Sequence, residues 1–168
     1  MCGIIGTIGK IPDKQRFIDS RDKLHHRGPD DSGLYYNQDE NIALGFKRLS
    51  IIDLRSISNQ PLKSSNGKVV IVFNGEIYNY KKLKKQLNDE YNFQTKCDTE
   101  VIIAAYIKWG IGCLKHLQGM FSIAIWDRDI RKLFIARDRL GIKPLYYLKN
   151  GDMFLFSSEI KGILNCTE

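Results

Sequence analysis

Eight short runs rich in β-branched and aromatic residues, with three helical stretches among them, constrain this chain more than any other feature. The runs fall at 3–8, 33–36, 42–46, 69–73, 120–126, 132–137, 145–149 and 153–157. Gly, Asn or Asp bounds them, as expected of strand ends. Helices are expected over 13–24, which is amphipathic, over 80–87, where Leu83 and Leu87 share a face, and over 98–108. The last begins with an acidic turn, turns Val101, Ile102, Ala105 and Tyr106 toward a core, and meets Gly110 as its stop. A parallel sheet needs a crossover, usually a helix, between successive strands. This chain has too few helices for that, so antiparallel sheets covered by helices are expected. The stretch "FSIAIWDRDIRKLFIARD" reads as a hairpin turning through 127–131, and Gly151-Asp152 marks a second turn.

At 168 residues the chain is expected to be one domain, large enough to fold without disulfides or metal. No apolar run approaches the roughly 18–20 residues of a membrane span, and the N-terminus has no secretory pattern. Cys2, Cys97, Cys113 and Cys166 make no C-x-x-C pair, and His25, His26 and His116 stand at no metal-ligand spacing. Reduced thiols, no metal, no cofactor and a cytoplasmic location are expected. The net charge is +7 and is densest at Lys81-Lys82-Leu83-Lys84-Lys85. That patch reads as a solvated helix face before it reads as a surface for nucleic acid or an acidic partner.

The chain opens "MCGIIG". Loss of Met1 would leave a thiol and a free α-amine on Cys2. The amine has an ordinary pKa of about 7.7–8.0 and the thiol about 8.5, so the amine can serve as base for its own thiol. The plain alternative is a small apolar residue near a chain end. In "HHRGPDDSG" the turn residues dominate, and the two histidines read as surface residues. Arg48 in "RLSIIDL" is equally a structural ion-pair partner or a fork for a carboxylate. In "VVIVFNGEIYNY" a buried strand meets a polar trio, Asn74-Gly75-Glu76, where a hairpin turn is the ordinary reading. The Asn74 amide and the Gly75 N–H can supply two donors to an oxyanion, and Glu76 can receive an ammonium. Asp98 in "KCDTEV" offers a second carboxylate, its plain reading being a helix cap. Together these groups suit attack on the side-chain amide of a free amino acid.

The ordered motifs "MCGIIG", "HRGPD", "RLSIID", "QPL", "FNGEIYNY", "CDTEVI", "LQGMFSIAIWD", "LFIARDRLGIKPLYY" and "FSSEIKGIL" span nearly the whole chain. In them the chain closely resembles the class II glutamine amidotransferase domain. The nearest likeness is to the N-terminal glutaminase domain of glutamine-hydrolysing asparagine synthetases. The resemblance implies an α+β fold of the N-terminal-nucleophile hydrolase type, an αββα sandwich of two antiparallel sheets between helical layers. It implies that Cys2 is the nucleophile, its α-amine the base, and Asn74 with Gly75 the oxyanion hole. It further implies that Arg48 grips the α-carboxylate of glutamine, that Leu49, Ser50, Ile51 and Ile52 line the same pocket, and that Glu76 and Asp98 surround the α-amino group. The implied reaction yields glutamate and ammonia through a glutamyl thioester, the ammonia passing to an ATP-dependent synthetase domain or subunit.

The Ser-Gly-Gly-x-Asp-Ser pyrophosphate loop of such synthetases does not occur between Met1 and Glu168. The chain is therefore expected to be a single glutaminase domain over 1–168, either excised or a stand-alone subunit, with the ATP-using domain absent. Retention of Met1 would tie the Cys2 amine into a peptide bond and impair hydrolysis. The contrasting expectation is a catalytically silent binding or regulatory module of the same fold. A third is an amide hydrolase for another substrate.

Overall fold

The computed structural model describes residues 1–49 and 58–167. Its strands are β1 (Gly3–Gly9), β2 (Asp31–Asn37), β3 (Ile42–Arg48), β4 (Leu62–Lys63), β5 (Val69–Ile77), β6 (Gly119–Asp127), β7 (Lys132–Arg137), β8 (Tyr146–Asn150) and β9 (Met153–Ser157). Its helices are α1 (Lys14–Asp22), α2 (Tyr80–Leu87), α3 (Asp98–Trp109) and α4 (Ile160–Thr167). Two sheets form, one in the order β2-β3-β1-β9-β8 and the other β4-β5-β6-β7. Every pairing is antiparallel, as the scarcity of intervening helices predicts.

Period-2 alternation along the strands builds three apolar layers. Ile4, Leu44 and Phe46 of the first sheet meet Val70, Val72, Ala124 and Trp126 of the second. The opposite face of the first sheet, with Ile5, Ala43 and Leu155, packs on Phe17 and Leu24 around α1 and on Ile163 and Cys166 of α4. The outer face of the second sheet, with Ile71, Phe73 and Ile123, packs on Leu83 and Leu87 of α2 and Val101, Ile102 and Ala105 of α3. The result is the helix–sheet–sheet–helix sandwich expected above.

Local signals account for most element ends. The Asp13 side chain accepts the Arg16 N–H at 3.0 Å and caps α1. Gly110, at φ +55°, closes α3. In α2 the lysines face outward, and only Lys84 is recruited inward, donating to the Thr95 carbonyl at 2.6 Å and lying over the Phe93 ring.

Two elements arise where no signal was read, β4 and α4. A third difference matters more. Strand β5 does not end at Phe73 but continues through Asn74, Gly75 and Glu76 to Ile77, paired with β6 from Ser122 to Gly119. The Asn-Gly pair makes no turn here, because β6 supplies a full ladder opposite it.

Candidate active site

Cys2 stands immediately before β1, packed against the core between the sheets. Its Sγ accepts the Leu49 N–H at 3.4 Å and lies 3.6 Å from the Leu49 carbonyl. Gly3 makes this packing possible: a Cβ there would meet Cβ of Leu24 at 2.9 Å. Burial pushes the Cys2 thiol up, while the Leu49 N–H, the chain terminus and the Arg48 and Arg27 guanidinium groups pull against it. Met1 is 55% exposed, with its Sδ 3.2 Å from Lys143 Nζ.

A cavity of about 140 Å³ opens beside Cys2. Arg48 and Leu49 from the end of β3, Gly75 and Glu76 from β5, and Asp98 from the start of α3 line it. Ser50, Ile51 and Ile52, expected in the same pocket, lie outside the described residues.

Arg48 is 7% exposed and lines the cavity, and its Nη1 donates to Asn59 Oδ1. Asn59 in turn donates to Asp31 Oδ2.

The ladder of β5 sets the next groups. The Phe73 N–H donates to Gln60 Oε1 at 2.6 Å, and the Ile77 N–H to Asp98 Oδ2 at 3.0 Å. Successive residues of a strand direct their N–H groups to opposite edges. Gly75, midway between Phe73 and Ile77, therefore points its N–H to the same edge, away from β6. Strand β4 pairs with β5 only at Val70 and Ile71, so among the described residues no strand covers that edge at Gly75. A Cβ at Gly75 would fall 2.2 Å from the Met120 carbonyl oxygen, so the β5–β6 approach itself requires glycine.

Asn74 lies on the same face of β5 as Val70 and Val72, toward the inter-sheet core against which Cys2 packs. It is 2% exposed, and its Nδ2 has no hydrogen-bond partner among the described residues. A buried amide donor without an acceptor costs roughly 1–3 kcal/mol, so this group is poised for an incoming acceptor.

Asp98 is not the helix cap that its plain reading gives. Cys97 holds the N-cap position, and Asp98 is the first helical residue, 5% exposed. Its carboxylate reaches back to β5 at Ile77. Burial raises its pKa to about 6; hydrogen bonds from Ile77, Thr99 and its own N–H oppose the rise, and the Glu76 charge adds to it. Glu76 itself is exposed at the rim.

The cavity also takes in groups for which no site function was read from the sequence: Ser58, Gln60, Cys97 and Thr99. Gln60 accepts from Phe73 and donates to Thr99 Oγ1 at 3.3 Å, tying β5 to α3. The "QPL" motif was the available signal, a glutamine 8% exposed directly before a proline. Ser58 Oγ is buried without a partner among the described residues. Neither His25 nor His116 lines the cavity, and His26 pairs with Glu159 at 2.9 Å.

Among the described residues no helix is long and apolar enough to cross a membrane. Comparison with known proteins agrees with the geometry. Glutamine-hydrolysing asparagine synthetase 3 of Bacillus subtilis is 40% identical over 171 residues, covering 98% of this chain and 27% of the relative. Asparagine synthetase 2 of the same organism is 41% identical, covering 98% of this chain and 22% of the relative. Amidase chry2 of Gibberella zeae is 42% identical over 145 residues, covering 86% of this chain and 22% of the relative. The chain thus spans about a quarter of the length of these curated relatives. A solved glutamine phosphoribosylpyrophosphate amidotransferase of Bacillus subtilis shares the fold, with a TM-score of 0.81 at 23% identity over 98% of this chain and 43% of that one. The sequence profile of the glutamine amidotransferase domain matches residues 1–168. The chain belongs to the glutamine amidotransferase domain family.

Proposed function

We propose that this chain, once Met1 is removed, hydrolyses the side-chain amide of glutamine to glutamate and ammonia through a thioester on Cys2. The observation that carries the reading is the convergence on one cavity of the Cys2 thiol, the Arg48 fork, the Asp98 carboxylate and the uncovered Gly75 edge, with the Asn74 amide unpaired beside it. In this reading Arg48 takes the α-carboxylate through paired hydrogen bonds. Glu76 and Asp98 receive the α-ammonium, and Leu49 shapes the wall. Ser50, Ile51 and Ile52 are assigned to the same pocket on the resemblance alone.

The freed α-amine of Cys2 accepts the thiol proton, and Sγ attacks the carboxamide carbon. The carbonyl oxygen gains negative charge and is held by Asn74 Nδ2 and the Gly75 N–H. The ammonium on Cys2 returns its proton to the departing nitrogen. Ammonia leaves, and a glutamyl thioester remains. Water then adds to the thioester carbon with the amine again as base, releasing glutamate and restoring the thiol.

The whole of 1–168 acts as one glutaminase domain in this reading. Its ammonia goes to an ATP-dependent synthetase domain or subunit, aspartate being the acceptor suggested by relatives named as asparagine synthetases. Ammonia release from glutamine by Met1-free protein, with Cys2→Ala as control, tests the proposal. Turnover by the native chain and none by the variant supports it. Absence of turnover in both defeats it in favour of a silent binding module. Preference for asparagine or a peptide amide defeats the assignments of Arg48, Glu76 and Asp98.

A further inference from the structure

The turn that follows α1 and the turn that precedes α4 meet behind the nucleophile. His25–Arg27 form a 3₁₀ turn, and the Arg27 side chain is 9% exposed. Its Nε donates to the carbonyl oxygen of Cys2 at 3.0 Å. Its Nη1 donates to Glu159 Oε1 at 2.9 Å. Glu159 stands between β9 and α4, in a turn fixed to β1 by Ser158, whose Oγ accepts the Ile4 N–H at 3.0 Å and whose N–H reaches the Ile4 carbonyl at 2.8 Å.

We propose that Glu159 and Arg27 form a positioning relay for the nucleophile, Glu159 holding the guanidinium and Arg27 holding the Cys2 carbonyl. The inference rests on reading Cys2 as the nucleophile. A guanidinium presents its donors in a rigid plane, so two anchored nitrogens define where the third group points. The Cys2 carbonyl belongs to the residue that carries both thiol and amine, so holding it limits how that residue turns toward the cavity. The charge matters as well. A cation close to Cys2 favours thiolate over thiol and disfavours an ammonium on the same residue, which leaves the amine free to act as base.

The relay has built-in controls. His26 Nε2 and Lys161 Nζ also bind Glu159, at 2.9 and 3.2 Å, but both side chains are about half exposed and neither touches Cys2. Glu159 stays ionised: partial burial opposes this, but hydrogen bonds from Arg27, His26 and Lys161 bring its pKa to about 2. Arg27 Nη2 is buried with no partner among the described residues, so loss of Glu159 leaves the cation held there at Cys2 alone.

The test uses full-length, Met1-free protein and two readouts, ammonia release from glutamine and the pH dependence of Cys2 alkylation by iodoacetamide, followed by mass. Cys113 and Cys166 are buried away from the cavity, and peptide mapping separates a label on Cys2 from one on Cys97, which lines it. E159Q and R27K are expected to lower kcat about tenfold, as misplacement of a reacting group does. KM should stay within about threefold, because neither residue meets glutamine in this reading. The alkylation midpoint should shift by roughly half a pH unit, downward in E159Q, which removes the anion beside the cation held at Cys2, and upward in R27K, whose shorter side chain draws the charge away. H26A and K161A should match the native chain in both readouts. The R27K/E159Q pair should be no worse than R27K alone, since Glu159 acts through Arg27. R27K keeps the buried charge and carries the test if E159Q fails to fold. Native kcat and an unmoved alkylation midpoint in both single variants overturn the relay, as do losses that add in the double variant. If the native chain releases no ammonia, the glutaminase reading fails by itself, and the alkylation midpoints still decide the relay.

Discussion

The two walls of the cavity are built to different ends. On the first-sheet wall, the backbone around the nucleophile is engaged: Arg27 takes the Cys2 carbonyl, Ser158 pairs both ways with Ile4, and Leu49 meets the thiol. On the second-sheet side, polar groups stay open: Asn74 Nδ2, in the inter-sheet layer beside the cavity, has no partner among the described residues, and the Gly75 N–H faces an edge that β4 does not reach. Saturated hydrogen bonding holds a reacting group in place. Unsatisfied buried donors lower stability and wait for charge that appears only when a ligand reacts. One wall is organised for position and the other for recognition and transition-state contact.

The strongest way to break this contrast is at Asn74. Asn74→Ala should lower kcat by about 10²–10³-fold, the usual cost of an oxyanion donor. Its thermal stability should not fall, because the deleted donor was unpaired. A drop in Tm with little loss of turnover would show that Asn74 belongs to the scaffold.

Asp98 sharpens the contrast through pH. Its folded pKa, about 6, lies above the ordinary 3.8. A raised carboxyl pKa means that the folded state binds the proton more tightly than the unfolded state. This group therefore costs stability progressively as pH rises from about 4 to 6, and fully above that. Ammonium recognition needs the ionised form, so KM for glutamine should rise up to about tenfold per unit as pH falls below 6. Asp98→Asn should flatten that dependence, raise KM at pH 8 and gain roughly 1–2 kcal/mol of stability there, with no gain near pH 3. Glutamine titrations and thermal melts across pH 4–8 measure both.

The smallest expected catalytic effect lies on the holding wall. Ser158→Ala leaves the buried Ile4 N–H without an acceptor and should cost about 1–3 kcal/mol of stability while changing kcat only a few-fold. A melt and a single kinetic series decide it. Loss of turnover as deep as that at Asn74 would erase the distinction between the walls.

Much of this was legible in the residues. The strand runs and their antiparallel pairing followed from β-branched periodicity and the shortage of helices, and α2 began and ended where the pattern of Leu83 and Leu87 placed it. The ordered motifs pointed to Cys2, Arg48, Leu49, Asn74, Gly75, Glu76 and Asp98. Of these, the cavity wall takes all but Asn74, which is buried in the adjacent inter-sheet layer. The two residues of β4 carried too little pattern to be read as a strand, and α4 is a short helix whose apolar face has meaning only against α1 and β9. Gln60 was quoted in a motif without a function, because its work lies in bonds to Phe73 and Thr99, far apart in sequence.

The chemical inventory was already written in the residues: a thiol at position 2, a guanidinium after a strand, an amide and a glycine in succession, and carboxylates beside that glycine and at a helix start. Residue identity carries hydrogen-bonding capacity and charge, and local pattern carries secondary structure. Direction came from the packing of the layers. Asn-Gly is a turn signal in isolation, yet pairing with β6 makes it strand, and the alternation of that ladder turns the Gly75 N–H toward the cavity. Arg27 and Glu159 are 132 residues apart, and only the packing of α1 and α4 on one sheet closes their contact behind Cys2. Such contacts depend on which surfaces bury together, a property of the assembled layers and not of any stretch of chain.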